Sequence, residues 1–168
     1  MKARFLAGFL IASIALIPAI ASPQNSSKSD QKPSASDKDK IPFPNAPRIK
    51  AEDVAQLIKD GKVVIVDTDD PEAYAAEHIK GAINIAFDPT VDSRAQDQTL
   101  SALPGDRMVV FYCNCPHEED SAPMVLEMQE LGYDRDKVKA LEGGLSRWEK
   151  LGYPLVGTDV NTSEAKGN

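Results

Sequence analysis

Two short, unbroken apolar runs constrain this chain more than any other feature: Val63-Val64-Ile65-Val66 and Met108-Val109-Val110-Phe111-Tyr112. Neither alternates with polar residues, so each reads as a strand buried on both faces rather than one with a wet side. Such strands need helices above and below them, and helical patterns lie between the runs. Val54, Leu57 and Ile58 recur at helical spacing over Ala51–Lys59, a stretch ended by Asp60-Gly61. Residues 71–77 suit a short helix, and Ala82-Ile83-Asn84-Ile85 a second strand. Residues 93–103 carry a weaker helical pattern, while Val125, Met128 and Leu131 place a helix over 122–131. Val138-Lys139-Ala140-Leu141 is a further strand, followed by a last helix over 145–151 that contains Trp148. This alternation predicts an α/β fold, a small central parallel sheet flanked by helices on both faces. In such sheets, sites lie at the carboxyl ends of the strands. No internal repeat is visible.

The ends of the chain have a different composition. Lys2 and Arg4 precede an apolar stretch from Phe5 to Ile17, and Ala19-Ile20-Ala21 closes it with small residues. That is the pattern of a signal peptide over residues 1–21, cleaved after Ala21. The apolar stretch is shorter than the roughly 20 residues a membrane span requires. No membrane span is therefore expected after cleavage, and the expected location is periplasmic or secreted. Residues 22–46 are rich in Ser, Lys, Asp and Pro and read as a flexible linker. The folded domain is expected over 47–157, with a polar, disordered tail over 158–168. Removing Lys2 and Arg4 from the 19 basic residues leaves 17 against 26 acidic ones, a net charge of −9. A chain this acidic is a poor partner for nucleic acid.

The chemistry concentrates in Cys113-Asn114-Cys115-Pro116-His117-Glu118-Glu119-Asp120, which follows one buried strand and precedes Ser121 at the opening of a helix. Both cysteines of the protein lie here. Two cysteines so close together close almost no loop, so they do not staple a fold. In an oxidising compartment such a pair is redox-active, metal-binding or catalytic. A helix N-terminus beside a thiol stabilises the thiolate.

Five motifs, in order, resemble those of rhodanese-like domains: Val66-Asp67 with Asp70-Pro71-Glu72-Ala73-Tyr74; His78-Ile79-Lys80-Gly81-Ala82-Ile83-Asn84-Ile85; Val110-Phe111-Tyr112-Cys113; Leu141-Glu142-Gly143-Gly144-Leu145-Ser146-Arg147-Trp148; and Gly152-Tyr153-Pro154-Leu155. The resemblance implies a sulfurtransferase whose loop cysteine carries sulfane sulfur as a persulfide, cradled by the loop's backbone N–H groups. It implies a small sulfur donor and a thiol or other nucleophilic acceptor as partners, with no cofactor and no metal. Counting back six residues from Ser121-Ala122, as the family spacing suggests, selects Cys115 as nucleophile. Counting forward from the strand selects Cys113, which is otherwise a resolving or structural thiol. Asn114, Pro116, His117, Glu118, Glu119, Asp120 and Ser121 complete the loop, and Asp67 organises the neighbouring loops in support.

The loop departs from the family pattern by carrying acids where active members often carry Arg or Lys. Carboxylates oppose thiolate formation and repel an anionic donor, so a persulfidic or neutral donor fits better than thiosulfate. With no arginine between Cys115 and Arg135, phosphatase chemistry is not expected. Other readings stay open: a silent rhodanese-like binding domain, an easily reduced Cys-x-Cys disulfide module, or a soft metal site at Cys113, Cys115 and His117. Glu118, Glu119 and Asp120 read otherwise as a solvated charge run that favours the helix dipole. His78 is expected to fix a turn by hydrogen bonding. Trp148, Met124 and Met128 are expected in the core, and Gly143-Gly144 in a tight turn.

Overall fold

The computed structural model describes residues 41–158. They run in the order β1 (Arg48–Ile49), α1 (Ala51–Lys59), β2 (Val63–Asp67), α2 (Pro71–Ala76), β3 (His78–Ile79), β4 (Ile83–Asn84), α3 (Ser93–Ser101), β5 (Met108–Tyr112), α4 (Ser121–Glu130), β6 (Val138–Leu141), α5 (Gly144–Lys150) and β7 (Leu155–Val156). The expected signal peptide, most of the linker and all of the tail beyond Thr158 lie outside the described residues. Among the described residues, no helix is long and apolar enough to cross a membrane.

Five strands form one parallel sheet in the order β1-β6-β5-β2-β4. The two apolar runs are neighbours in it, in register from Val63 opposite Met108 to Asp67 opposite Tyr112. Successive side chains of β5 point to opposite faces, as the strand period requires. Val109 and Phe111 join Val66, Leu100, Met124, Val125 and Met128 in one core, beneath α3 and α4. Val110 and Tyr112 join Val54, Ile65, Leu141, Leu145 and Trp148 in the other, beneath α1 and α5. Phe111 and Tyr112 are both fully buried, which is why the run shows no polar alternation.

Local chemistry sets several boundaries. Asp70 caps α2 by accepting from the Glu72 and Ala73 N–H groups at 2.9 Å each, with Pro71 beginning the helix. Asp92 caps α3 through the Arg94 N–H. His78 has Nδ1 2.7 Å from the Tyr74 carbonyl, and its ring stacks on Tyr74. Trp148 is buried and donates its Nε1–H to the Pro154 carbonyl at 3.2 Å. Met124 and Met128 lie in the core as the sequence predicts.

Three two-residue strands carry no sequence signal of their own. β1 lies beside β6, and β3 pairs antiparallel with β7 in a separate small sheet. Each exists because a distant partner presents its edge. Residues 41–46, grouped with the linker by composition, carry Ala46 into the core. The Arg48 guanidinium holds that segment by donating to the carbonyls of Pro42, Phe43 and Ala46.

Candidate active site

The sheet order reverses at its centre. From β2 the chain continues outward to β4, and from β5 it continues the other way to β6. The gap between the carboxyl ends of β2 and β5 is therefore a topological switch point, where open α/β sheets place their ligands. Residues 67–70 leave one strand there, and residues 113–120 leave the other. The two segments are laced together. The Thr68 N–H donates to the Tyr112 carbonyl at 2.9 Å, and the Asn114 N–H donates to both carboxylate oxygens of Asp69, at 3.1 and 2.9 Å.

Cys113 and Cys115 form a disulfide with their Cα atoms 5.2 Å apart. Their environments differ. Cys113 is fully buried, with Sγ 3.8 Å from the Ser121 Oγ at the first residue of α4. Cys115 is half-buried. The β6–α5 turn holds both from behind. The Leu145 N–H donates to the Cys113 carbonyl at 2.9 Å. Gly144, in the left-handed region at φ +53°, lies so close that an added Cβ would collide with the Cys113 carbonyl oxygen and press on that of Cys115. The expected glycine turn thus also shapes the cysteine loop.

Glu118 overturns the expectation of a solvated charge run. It is 4% exposed, and its Oε2 accepts from Arg48 Nε at 2.8 Å, while Oε1 accepts from the Gly143 N–H at 2.6 Å. Its backbone turns into the left-handed region at φ +56°, and its carbonyl accepts the first helical bond of the segment from the Ala122 N–H. One side chain therefore ties the loop to β1 and to the β6–α5 turn. A carboxylate with two charge-assisted or short backbone bonds is satisfied where an unpaired one would not be tolerated. Glu119 and Asp120 are half-buried rather than fully solvated. Glu119 accepts from the His117 N–H at 3.0 Å, and the His117 side chain is exposed. Asn114 and Pro116 are exposed, and Ser121 is buried.

The loop amides are consequently less available to an anion than the resemblance implies. Asn114 N–H is committed to Asp69, His117 N–H to Glu119, and Pro116 has none. The surrounding charge is negative as well. Burial pushes the Asp69 carboxyl up to about 6; the Asn114 hydrogen bond works against this, and the charges of Asp67, Asp120 and Asp70 add to it. Burial also raises Asp120, reinforced by Glu119. Asp67 is buried and raised by desolvation, while the Tyr112 hydroxyl and the Asp69 N–H oppose the shift. Tyr112 is itself pushed far up by burial and the Asp67 charge, so it is a neutral hydroxyl that accepts from the Ile79 N–H at 3.0 Å.

Asp67 ends β2, where its Oδ1 accepts from the Asp69 N–H and its carbonyl from the Ile85 N–H. Asp69 and Arg48 are the residues that motif reasoning misses. The strand-end rule points to Asp69, which sits in an acidic run just after β2. Nothing in sequence pairs Arg48 with a glutamate 70 positions away. The soft-ligand set is also redrawn. Among the described residues, the donor atoms of Cys113, Cys115 and Asp120 lie within 4.8 Å of one another, and His117 is not in that group. In the disulfide form neither sulfur is a free thiolate ligand.

Residues 50–151 match the family described as "Rhodanese-like domain". The thiosulfate sulfurtransferase GlpE of Pseudomonas paraeruginosa is 32% identical over 119 residues, covering 71% of this chain and 94% of that protein. The HTH-type transcriptional regulator Rv0324 of Mycobacterium tuberculosis is 34% identical over 95 residues, 56% of this chain, and an uncharacterised Synechocystis protein, slr1261, is 28% identical over 103. The chain spans 38% and 52% of the lengths of those two curated relatives. Among solved structures, the BH2092 protein of Bacillus halodurans superposes with a TM-score of 0.57 at 26% identity, over 68% of this chain and 80% of that one. The rhodanese-like domain of Anabaena Alr3790, at 24% identity and a TM-score of 0.55, shares the fold over 68% of this chain and 81% of its own. A five-stranded parallel sheet between two helical layers, a cysteine loop at its switch point and a family match over residues 50–151 make this chain a member of the rhodanese-like domain family.

Proposed function

We propose that this chain is an exported sulfurtransferase that carries sulfane sulfur as a persulfide on Cys115. The observation that carries the reading is the unequal exposure of two cysteine residues at the switch point of the sheet. Cys115 is the partly exposed residue of the pair, and Cys113 is fully buried, so Cys115 is the one a donor in solvent approaches. The similarity to a thiosulfate sulfurtransferase supports sulfur transfer as the reaction class. In the reduced protein, the Cys115 thiolate attacks the outer sulfur of a persulfide donor, R–S–SH. A bond forms between Cys115 Sγ and that sulfur, and R–S⁻ leaves. The α4 N-terminus favours the thiolate, and the nearby carboxylates of Asp120 and Asp69 disfavour it.

The donor is persulfidic or neutral rather than thiosulfate. Asp69, Asp120 and Glu119 border the loop, and its amides are partly committed, so a dianion meets repulsion without a full cradle. Export rests on the leader pattern of residues 1–21.

The test is intact mass of the reduced protein after exposure to glutathione persulfide, made in a Cys113→Ser background so that only one thiol is present. A gain of one sulfur atom, mapped to Cys115 and lost in the double variant, is expected. No gain on Cys115 would sink the proposal. N-terminal sequencing of the protein from cells should begin at Ser22; an intact Met1 terminus in the cytosolic fraction would refute export.

A further inference from the structure

We propose that Cys113 is a resolving thiol that discharges the Cys115 persulfide as sulfide, making the protein a sulfane-sulfur reductase rather than only a carrier. This rests on the persulfide reading above and adds a second chemical step to it. Three observations lead to it. First, the fold brings the two sulfurs within bonding reach: the disulfide forms across a Cα separation of 5.2 Å, within the ordinary range for such bonds. Second, Cys113 is fully buried beneath the loop, closed off from any acceptor in solvent, so its reaction partner has to come from within the loop. Third, the bend that brings the sulfurs together is enforced from outside the loop. Gly144 is packed against both cysteine carbonyls, Leu145 N–H holds the Cys113 carbonyl, and Glu118 is anchored to Arg48 and Gly143. A thiol held this way attacks an adjacent persulfide as an intramolecular nucleophile, ahead of acceptors that must diffuse in.

The step balances without an added oxidant. The Cys113 thiol attacks Cys115 Sγ of the Cys115–S–S⁻ persulfide. A Cys113–Cys115 bond forms, the bond to the outer sulfur breaks, and that sulfur leaves as HS⁻ carrying the proton from Cys113. The sulfane sulfur is reduced to sulfide while the two cysteine sulfurs are oxidised to the disulfide. A dithiol reductant then returns the pair to two thiols and becomes a disulfide itself. The disulfide in the structure is the product state of this cycle.

The experiment is a single turnover. Reduced, reductant-free protein is mixed anaerobically with less than one equivalent of glutathione persulfide. Released sulfide, free thiols and intact mass are then measured. The wild-type chain is expected to release one sulfide per donor consumed, to lose two thiols for each and to show no mass gain. Cys113→Ser and Cys113→Ala are expected to retain the extra sulfur on Cys115 and to release sulfide only when external thiol is added in excess of the glutathione that the donor leaves behind. Wild-type protein that holds the extra sulfur and releases no sulfide would overturn the resolving role while leaving sulfur transfer intact. Failure of the Cys113 variants as well as the wild type to take up sulfur would remove both readings. Because the wild-type stoichiometry is diagnostic by itself, the test does not depend on the variants folding.

Discussion

The two strand-to-helix connections at the centre of this sheet solve the same problem in opposite ways. Between β6 and α5 the chain turns within Glu142 and Gly143, using consecutive left-handed glycines at φ +75° and +53°. Between β5 and α4 it takes eight residues and has no glycine; its left-handed residue is Glu118. The short turn is encoded locally, since only glycine adopts those angles without strain. The long loop is shaped by groups far away in sequence: Arg48, Asp69, Gly143 and Leu145. The cysteine chemistry sits on the second kind of connection, and the first kind is the wall it is pressed against. A site of this sort is only as well defined as the elements around it.

Gly144→Ala should break the comparison most severely, because it damages both connections at once. The new Cβ would meet the Cys113 carbonyl oxygen and would force an L-residue into the left-handed region. A loss of about 4 kcal/mol of stability is expected by denaturant unfolding. Gly61→Ala is the matched control, with φ +65° and open space around the added Cβ. It should cost about 1 kcal/mol. Equal costs at the two positions would show that the wall is not tight.

Glu118→Ala tests the long loop alone. It leaves the Arg48 guanidinium and the Gly143 N–H without their carboxylate in a nearly dry setting. The expected loss is about 3 kcal/mol, with the cysteine loop becoming the first segment to exchange its amides. Glu118→Gln, which retains hydrogen bonding but not the charge, should recover part of it. Wild-type stability in Glu118→Ala would return that residue to the solvated charge run.

The smallest effect concerns pH. Asp69 is pushed from 3.8 up to about 6, so the folded protein holds this proton more tightly than the unfolded chain does. The charged form therefore costs stability above pH 6. That cost is relieved as pH falls through 6, and relief is complete near the unfolded value. The denaturation midpoint should rise between pH 7 and pH 5. Asp67, Asp120 and Glu127 shift in the same direction, while exposed Glu52 and Asp88 shift the other way. Asp69→Asn should keep an acceptor for the Asn114 N–H and flatten the rise without abolishing it. An unchanged slope in that variant would show that Asp69 does not sit in the strained position assigned to it.

Much of the fold is legible in the sequence because it depends on period and run length. Val63–Val66 and Met108–Tyr112 announce doubly buried strands, and the motif around Gly143-Gly144 announces a tight turn. β1, β3 and β7 are illegible, since two residues carry no period and each strand is defined by its partner. The loop shows the same division. Its position at a strand end, its two cysteines and its acidity are all readable, whereas the separate fates of its acids are not. Glu118 is buried and clamped, and Glu119 caps the His117 N–H. Adjacent residues of one type look alike until the neighbours that desolvate them are in place.

By itself, the sequence determines that this chain makes a parallel α/β sheet with a thiol pair at its carboxyl edge. Those outcomes follow from apolar runs, helix caps and glycine positions, all of which act over a few residues. Only the tertiary structure decides which cysteine is fully buried, which acid is a clamp, and that Asp69 binds the loop. Burial and hydrogen bonding at those sites come from segments up to 70 residues distant, and a carboxylate or a thiol takes its character from what surrounds it rather than from its place in the chain.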